Sequence, residues 1–189
     1  MKRTLFLPLV GIVVGGTGGV TFLIVNAIFG SKALAVLLSL IGSMFMTGVF
    51  LEAGSIALMV GVFLKYQSLL LIPSRSIPLV LIAAHAFSRF AAGSLIIGTP
   101  QGDKEGQLDK KSLLLMTSLG MLPLLLIGNL LFVLLIPLLW IIRTLFGVWI
   151  GQKEGGYTAS RLLTTQCAVE ICFYLLVVVT SRYTLLSFG

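Results

Sequence analysis

Charge is what this sequence has least of. Only 10% of its 189 residues are charged, against 58% that are hydrophobic, whereas a soluble domain carries about 25% charged residues. A soluble globule of this size needs polar side chains to cover its surface, and too few are present. The charges are also clumped between long apolar runs, which excludes a soluble fold and suits lipid. Acid is scarcer still, with six Asp and Glu against 13 Lys and Arg and a net charge of +7. The basic residues form no dense run or stripe, so a nucleic-acid partner is not supported. They stand at the ends of apolar segments, where membrane topology and anionic headgroups select them. Cysteine is nearly absent. Cys167 and Cys172 lie in one apolar run, point in different directions on a helix and have no nearby His or Cys partners, which argues against a disulfide framework or a zinc site. No GxxxxGKS loop, GxSxG elbow, HExxH or CxxC occurs, so the common nucleotide-binding, hydrolase, zinc and redox signatures are missing.

What is present is a series of apolar segments, over residues 5–29, 33–51, 53–72, 77–98, 112–128, 129–150 and 162–180. Each is near the ~20 residues that a helix needs to cross the hydrocarbon core. The pattern predicts an all-α, polytopic transmembrane bundle of about six or seven helices (five is the lower alternative), forming a single membrane domain over residues 1–189. The stretch 112–150 is too long for one crossing at about 1.5 Å per residue and is split near Gly128-Asn129; 33–72 is split at Glu52-Ala53-Gly54-Ser55. Lys2 and Arg3 followed by residues 5–14 imitate a signal peptide, but apolar character continues to Phe29 and no A-x-A site follows. The expectation is therefore a retained first helix. Placing the N-terminus inside puts Lys2, Arg3, Lys104, Lys110, Lys111, Lys153 and Arg161 on the inner side, and Lys32, Arg75 and Arg182 outside. That asymmetry predicts a cytoplasmic N-terminus, with the connections 52–55, 99–111 and 151–161 on the cytoplasmic face.

Small residues recur at every fourth position: Gly11, Gly15 and Gly19 in the first segment, and Ala35, Ser39, Ser43 and Thr47 in the second. Such stripes let helix backbones approach closely. Ionisable side chains within spans cost at least ~2.5 kcal/mol each at mid-helix on insertion scales, so Lys65, His85, Arg89 and Glu170 need a reason. His85 and Arg89, with Ser88 adjacent, share one helical face, as do Gln166 and Glu170. One reading is a buried ion pair, Glu170 facing Arg89 or Lys65, that fixes helix register. The other is a polar pocket for an anionic or polar headgroup, and intramembrane charge favours it. Lys65 has a further option, snorkelling to an interface. The turn Gly155-Gly156-Tyr157-Thr158 precedes the last helix; backbone N–H groups there suit a phosphate, though a flexible loop explains the same residues. In the connection 99–111, Asp103, Glu105 and Asp109 do not match the spacing of a calcium loop, and a solvated loop is expected.

Taken in order, Phe6-Leu7-Pro8-Leu9-Val10-Gly11, Met46-Thr47-Gly48-Val49-Phe50, Leu64-Lys65-Tyr66-Gln67, His85-Ala86-Phe87-Ser88-Arg89-Phe90 and Gly155-Gly156-Tyr157-Thr158 with Glu170 resemble the cobalamin synthase family, the adenosylcobinamide-GDP ribazoletransferases. The resemblance runs over nearly the whole chain. It implies a multi-pass enzyme of the bacterial inner membrane that uses Mg²⁺ and joins adenosylcobinamide-GDP to α-ribazole or its phosphate, releasing GMP. Corrinoid and nucleoside substrates would be its small-molecule partners, the bilayer its solvent, and a homo-oligomer or a complex with other cobalamin-pathway enzymes its assembly.

On this reading Lys65, His85, Arg89 and Glu170 are the expected catalytic residues, and Gly155, Gly156 and Thr158 the expected substrate-binding ones. The departures are specific. The family resembled has an aspartate-rich segment after the positions like 46–50, and those aspartates look like its metal-binding and catalytic groups. Here Phe50 passes through Leu51-Glu52-Ala53 directly to Gly54-Ser55, leaving Glu52 as the metal-ligand candidate. The Gly-Gly-x-Thr motif continues into Ala159-Ser160 where the family has Gly-Asp. A single acid is a poor Mg²⁺ site, so lost or greatly reduced transferase activity is expected. The contrasting expectation is a non-enzymatic membrane protein, a small transporter or partner subunit, that uses the same charges for a pathway or for packing.

Overall fold

The computed structural model describes residues 6–47, 56–95, 110–127 and 159–187, together with positions 137, 140, 141, 143–145 and 148. Among these residues there are six α-helices and no strand: α1 Leu7–Phe29, α2 Lys32–Thr47, α3 Ile56–Leu71, α4 Ile77–Ser94, α5 Lys110–Leu125 and α6 Ala159–Ser187. A 3-10 turn, Ser74–Ser76, leads into α4. The described positions between 137 and 148 are also helical.

Helix boundaries follow local chemistry. α1 begins with Pro8 in its first turn and ends at Gly30, whose φ of 62° places it in the left-handed region, where a residue without Cβ is unstrained. Pro78 occupies the first turn of α4, where its missing N–H costs nothing. The segments Leu7–Phe29, Ser74–Ser94 and Leu162–Ser181 are long and apolar enough to cross a membrane, while Lys32–Thr47, Met59–Leu71 and Leu113–Leu125 are shorter apolar helices. α2 is described as far as Thr47 and α3 from Ile56, so the expected break at 52–55 lies outside the described residues. The split expected near Gly128-Asn129 also lies outside them, just beyond the end of α5.

α4 is the centre of the bundle. It packs against α1, α5 and α6, while α1 also lies on α2, and α3 lies on α6 and α2. Every residue over 83–95 is buried, and a helix that is apolar nearly all round belongs in such a position. The Gly11, Gly15 and Gly19 stripe faces α4 directly. A Cβ on Gly15 would stand 2.5 Å from the Ile82 Cα, one on Gly19 would stand 3.2 Å from the Pro78 Cα, and one on Gly11 would run into the His85 carbonyl oxygen. Four-residue steps on α1 thus meet steps of three and four residues on α4, running antiparallel. Leu9, Val13, Leu23 and Ile24 are exposed on the remainder of α1, facing lipid.

On α2, Ala35, Ser39 and Ser43 are buried. The Ser39 and Ser43 hydroxyls donate to Val36 O (2.8 Å) and Ser39 O (2.9 Å), so the stripe packs without leaving a polar group unsatisfied in lipid. Lys32 at the start of α2 donates through Nζ to Leu70 O (2.7 Å) and Ile72 O (2.6 Å). It thereby satisfies carbonyls at the end of α3, where a cation is favoured.

The glycine contacts yield a paired expectation. Gly15→Ala should destabilise the protein by about 1–3 kcal/mol, as overpacking does. Gly16→Ala should be neutral or stabilising by up to about 1 kcal/mol from helix propensity, because a Cβ at Gly16 meets nothing within 4 Å. Unfolding in mixed micelles measures both; equal effects would contradict the α1–α4 register.

Candidate functional site

Three helices bring their ionisable residues to one depth. Counting about 1.5 Å per residue, Lys65 lies roughly 14 Å into α3 from Ile56, and Glu170 roughly 16 Å into α6 from Ala159. His85 lies roughly 14 Å into α4 when counted back from Ser94. That depth is about half of a ~30 Å hydrocarbon layer. Burial there is costly for each charge, so the groups must satisfy one another.

They do so around one carboxylate. Glu170 Oε2 lies 3.1 Å from Lys65 Nζ, and Glu170 Oε1 lies 3.4 Å from His85 Nδ1. The Tyr174 hydroxyl donates to Glu170 Oε1 at 3.2 Å. Glu170 is 2% exposed and Lys65 12%, so Lys65 does not snorkel to an interface: it is held by the carboxylate. The His85–Glu170 approach is close without hydrogen-bonding geometry, since His85 Nδ1, His85 Nε2 and Arg89 Nε are all buried without a hydrogen-bond partner. Arg89, one helical turn from His85, is 9% exposed and His85 4%. Of the two partners expected for Glu170, Lys65 makes the ion pair; Arg89 stands beside the cluster. Ser88 Oγ donates to the His85 carbonyl at 3.3 Å and takes no part in the cluster.

Two residues escaped the sequence reading. Tyr174 reads as an apolar aromatic, and its only signal is its i+4 spacing from Glu170. Arg143 lies inside the apolar run 129–150, and its charge there is the signal that marks it. Its Nε and Nη2 donate to Ser94 Oγ (2.9 Å) and Ser94 O (2.8 Å), and its guanidinium lies 4.6 Å from the Trp140 ring centroid. Trp140 in turn sits 6.3 Å from the Phe90 ring. Arg143 therefore caps the end of α4 that is nearer to Arg89, where positive charge is favoured.

The expected substrate-binding residues Gly155, Gly156 and Thr158, and the metal-ligand candidate Glu52, lie outside the described residues. Among the described residues no group of three His, Cys, Asp or Glu could hold a metal ion. Glu170 is the one carboxylate there, and Lys65 and Tyr174 already occupy it. A divalent cation, which needs several oxygen ligands, does not fit this cluster. Cys167 and Cys172 on α6 carry free thiols.

Comparison with known proteins places the site in context. The profile of the family described as Cobalamin-5-phosphate synthase matches residues 52–178, a stretch that includes Lys65, His85, Arg89 and Glu170. The chain is similar to the adenosylcobinamide-GDP ribazoletransferase of Shewanella pealeana, with 28% identity over 94% of this chain and 85% of the relative. Similar proteins of the same description occur in Shewanella piezotolerans (29% identity, 67% of this chain, 53% of the relative) and Shewanella amazonensis (26%, 92% and 83%). In the first comparison, 94% of 189 residues is about 178, so about 44 of the 222 aligned positions face a gap in this chain. No solved structure matches it.

The geometry predicts a coupling. Tyr174→Phe should destabilise by about 1.5–3 kcal/mol, the range for a hydrogen bond to a charged group. In a Glu170→Gln background the same change should cost clearly less. Unfolding of the four proteins in mixed micelles checks this; an equal cost in both backgrounds would show that the hydroxyl does not serve the carboxylate.

Proposed function

This chain belongs to the cobalamin-5-phosphate synthase family, and from that premise we propose that it is a membrane transferase joining adenosylcobinamide-GDP to α-ribazole or its phosphate. The observation that supports the reading is the convergence of Lys65 and His85 on Glu170, with Arg89 one helical turn from His85, within the part of the chain that the family profile covers. Intramembrane ionisable residues that converge are a functional site by default, and the relatives' descriptions supply the reaction.

The chemistry is phosphoryl transfer: a ribazole hydroxyl attacks phosphorus and GMP leaves. Catalysis of such a reaction is mainly positioning and stabilisation of charge on the phosphoryl oxygens. In this proposal Lys65 and Arg89 supply positive charge, Glu170 and Tyr174 fix Lys65, and His85 exchanges a proton with a hydroxyl. The donor set among the described residues does not fit Mg²⁺. Residence in the bacterial inner membrane is what the family resemblance implies, and the distribution of Lys and Arg supports a cytoplasmic N-terminus. The gap in the alignment supports a slower enzyme than its longer relatives.

The test is turnover in proteoliposomes supplied with adenosylcobinamide-GDP and α-ribazole, following corrinoid product and GMP. We expect product at a rate at least ~10²-fold below that of the Shewanella pealeana relative, roughly what loss of one charge-stabilising or acid–base group costs. His85→Ala should lower the rate by a further ~10²-fold or more. Absence of any product would sink the transferase reading, and a rate equal to the relative's would sink the impairment.

A further inference from the structure

Arg143 is an intramembrane charge that the proposed chemistry leaves unused. Its place in an apolar run is costly, and its contacts there are specific. The last turn of α4 is buried, with Ser94 7% and Leu95 5% exposed, so bulk water does not serve its carbonyls. Nor does a left-handed glycine close it: Leu95 stays right-handed, and its N–H turns back to Ala92 O and Gly93 O. Side chains complete the turn instead. The Ser94 hydroxyl donates to Ala91 O at 2.7 Å, and the Arg143 guanidinium forks onto Ser94, donating to its Oγ and to its carbonyl. Because the fork holds a side-chain atom and a backbone atom of one residue, it fixes the rotation of the turn as well as its height. The same guanidinium lies over Trp140, whose ring lies against Phe90. Phe90 is wedged from the other side by α5, where a Cβ on Gly120 would stand 2.5 Å from the Phe90 Cβ.

The charged cluster itself does not fix where α4 points its polar groups. Among the described residues, neither ring nitrogen of His85 has a hydrogen-bond partner, and Arg89 Nε has none. The glycines of α1 hold α4 from Pro78 to Ala86. Beyond that, the turn carrying Arg89 is held through Phe90 and through Ser94, five residues or about 7.5 Å further along the axis. We propose that Arg143 is a positioning residue: from the helical stretch that carries Trp140, it sets the height and rotation of the last turns of α4, and so the aim of Arg89 and His85. The role deepens the transferase reading and rests on it for the reaction served, while the mechanical claim stands on the contacts alone. A misplacement of ~1 Å caused far from the chemistry can cost ~10²-fold in rate. A contact that only stabilises leaves the rate of the folded enzyme intact. Lys at 143 keeps a donor for the Ser94 carbonyl but lacks the planar fork, so it should restore the position in part.

His85 is the single histidine of the chain, so its imidazole ¹⁵N signals report on the site unambiguously. The full chain in nanodiscs, labelled with ¹⁵N-histidine, is compared with Arg143→Met, Arg143→Lys, Ser94→Ala and Leu40→Ala at a temperature where each is folded. Leu40 is buried on α2, which packs on α1 and α3; its truncation lowers the melting point by leaving a cavity and serves as a loss of stability remote from the end of α4. We expect Arg143→Met to shift the His85 signals and Arg143→Lys to return them part of the way. Ser94→Ala should shift them less in the same direction, and Leu40→Ala should leave them in place. Turnover of adenosylcobinamide-GDP should follow the same order, with kcat at least ~10-fold lower in Arg143→Met and KM within ~2-fold of the parent. Unmoved His85 signals in Arg143→Met, an equal shift in Leu40→Ala, or a raised KM at unchanged kcat would overturn the proposal. If Arg143→Met does not fold, Ser94→Ala decides on the same signals. Shifted signals with no turnover in the parent keep the positioning role and remove the transferase reading; turnover with unmoved signals does the opposite.

Discussion

A single carboxylate holds the interior of this protein together. Glu170 on α6 meets Lys65 from α3 and His85 from α4. An ammonium, an imidazole and a carboxylate share a depth at which each alone would be costly. The arrangement constrains rotation as well as position, because turning any of the three helices by one residue, about 100°, withdraws its group. Tyr174 completes the cluster from the next turn of α6. The energetic logic is that of a buried pair: modest as a net stabiliser, but severe when one partner is removed.

The rest of the bundle presents α4 to that carboxylate. Glycines on α1 bring its backbone against α4, Gly120 on α5 lets a helix approach Phe90, and Arg143 closes the far end. Lys32 fixes the end of α3 from α2, and so sets the height of Lys65. Close packing of small residues is the means of association available in lipid, where apolar contact alone does not distinguish protein from solvent. The proposed chemistry, phosphoryl transfer, depends on positioning, and a rigid central helix carrying His85 and Arg89 would suit it.

Much of this was legible in the residues. Long apolar runs fixed the helical class, and the cost of charge in lipid singled out Lys65, His85, Arg89 and Glu170 without any structure. The four-residue glycine spacing foretold a packing face, and the structure assigns it to α4. The choice of partner was not legible. Whether Glu170 meets Lys65 or Arg89 depends on helix rotation and on which helices are neighbours, and neither is written in local sequence. Nor was the enclosure of α4, since an apolar helix reads alike whether protein or lipid surrounds it. Tyr174 was hidden by its aromatic character, and Arg143 by an apolar run that drew attention to its length rather than its charge. The turn at 155–158 and the acid at Glu52 lie outside the described residues, so their part in the site rests on resemblance.

The most direct measurement is a double-mutant cycle on the central pair, Lys65→Met and Glu170→Met, read as unfolding free energy in mixed micelles. Each single change strands a buried charge and should cost about 3–5 kcal/mol, while the double change should cost less than either alone. Additive costs would mean that the two side chains do not meet in the bilayer, and the placement of His85 and Arg89 around them would lose its foundation.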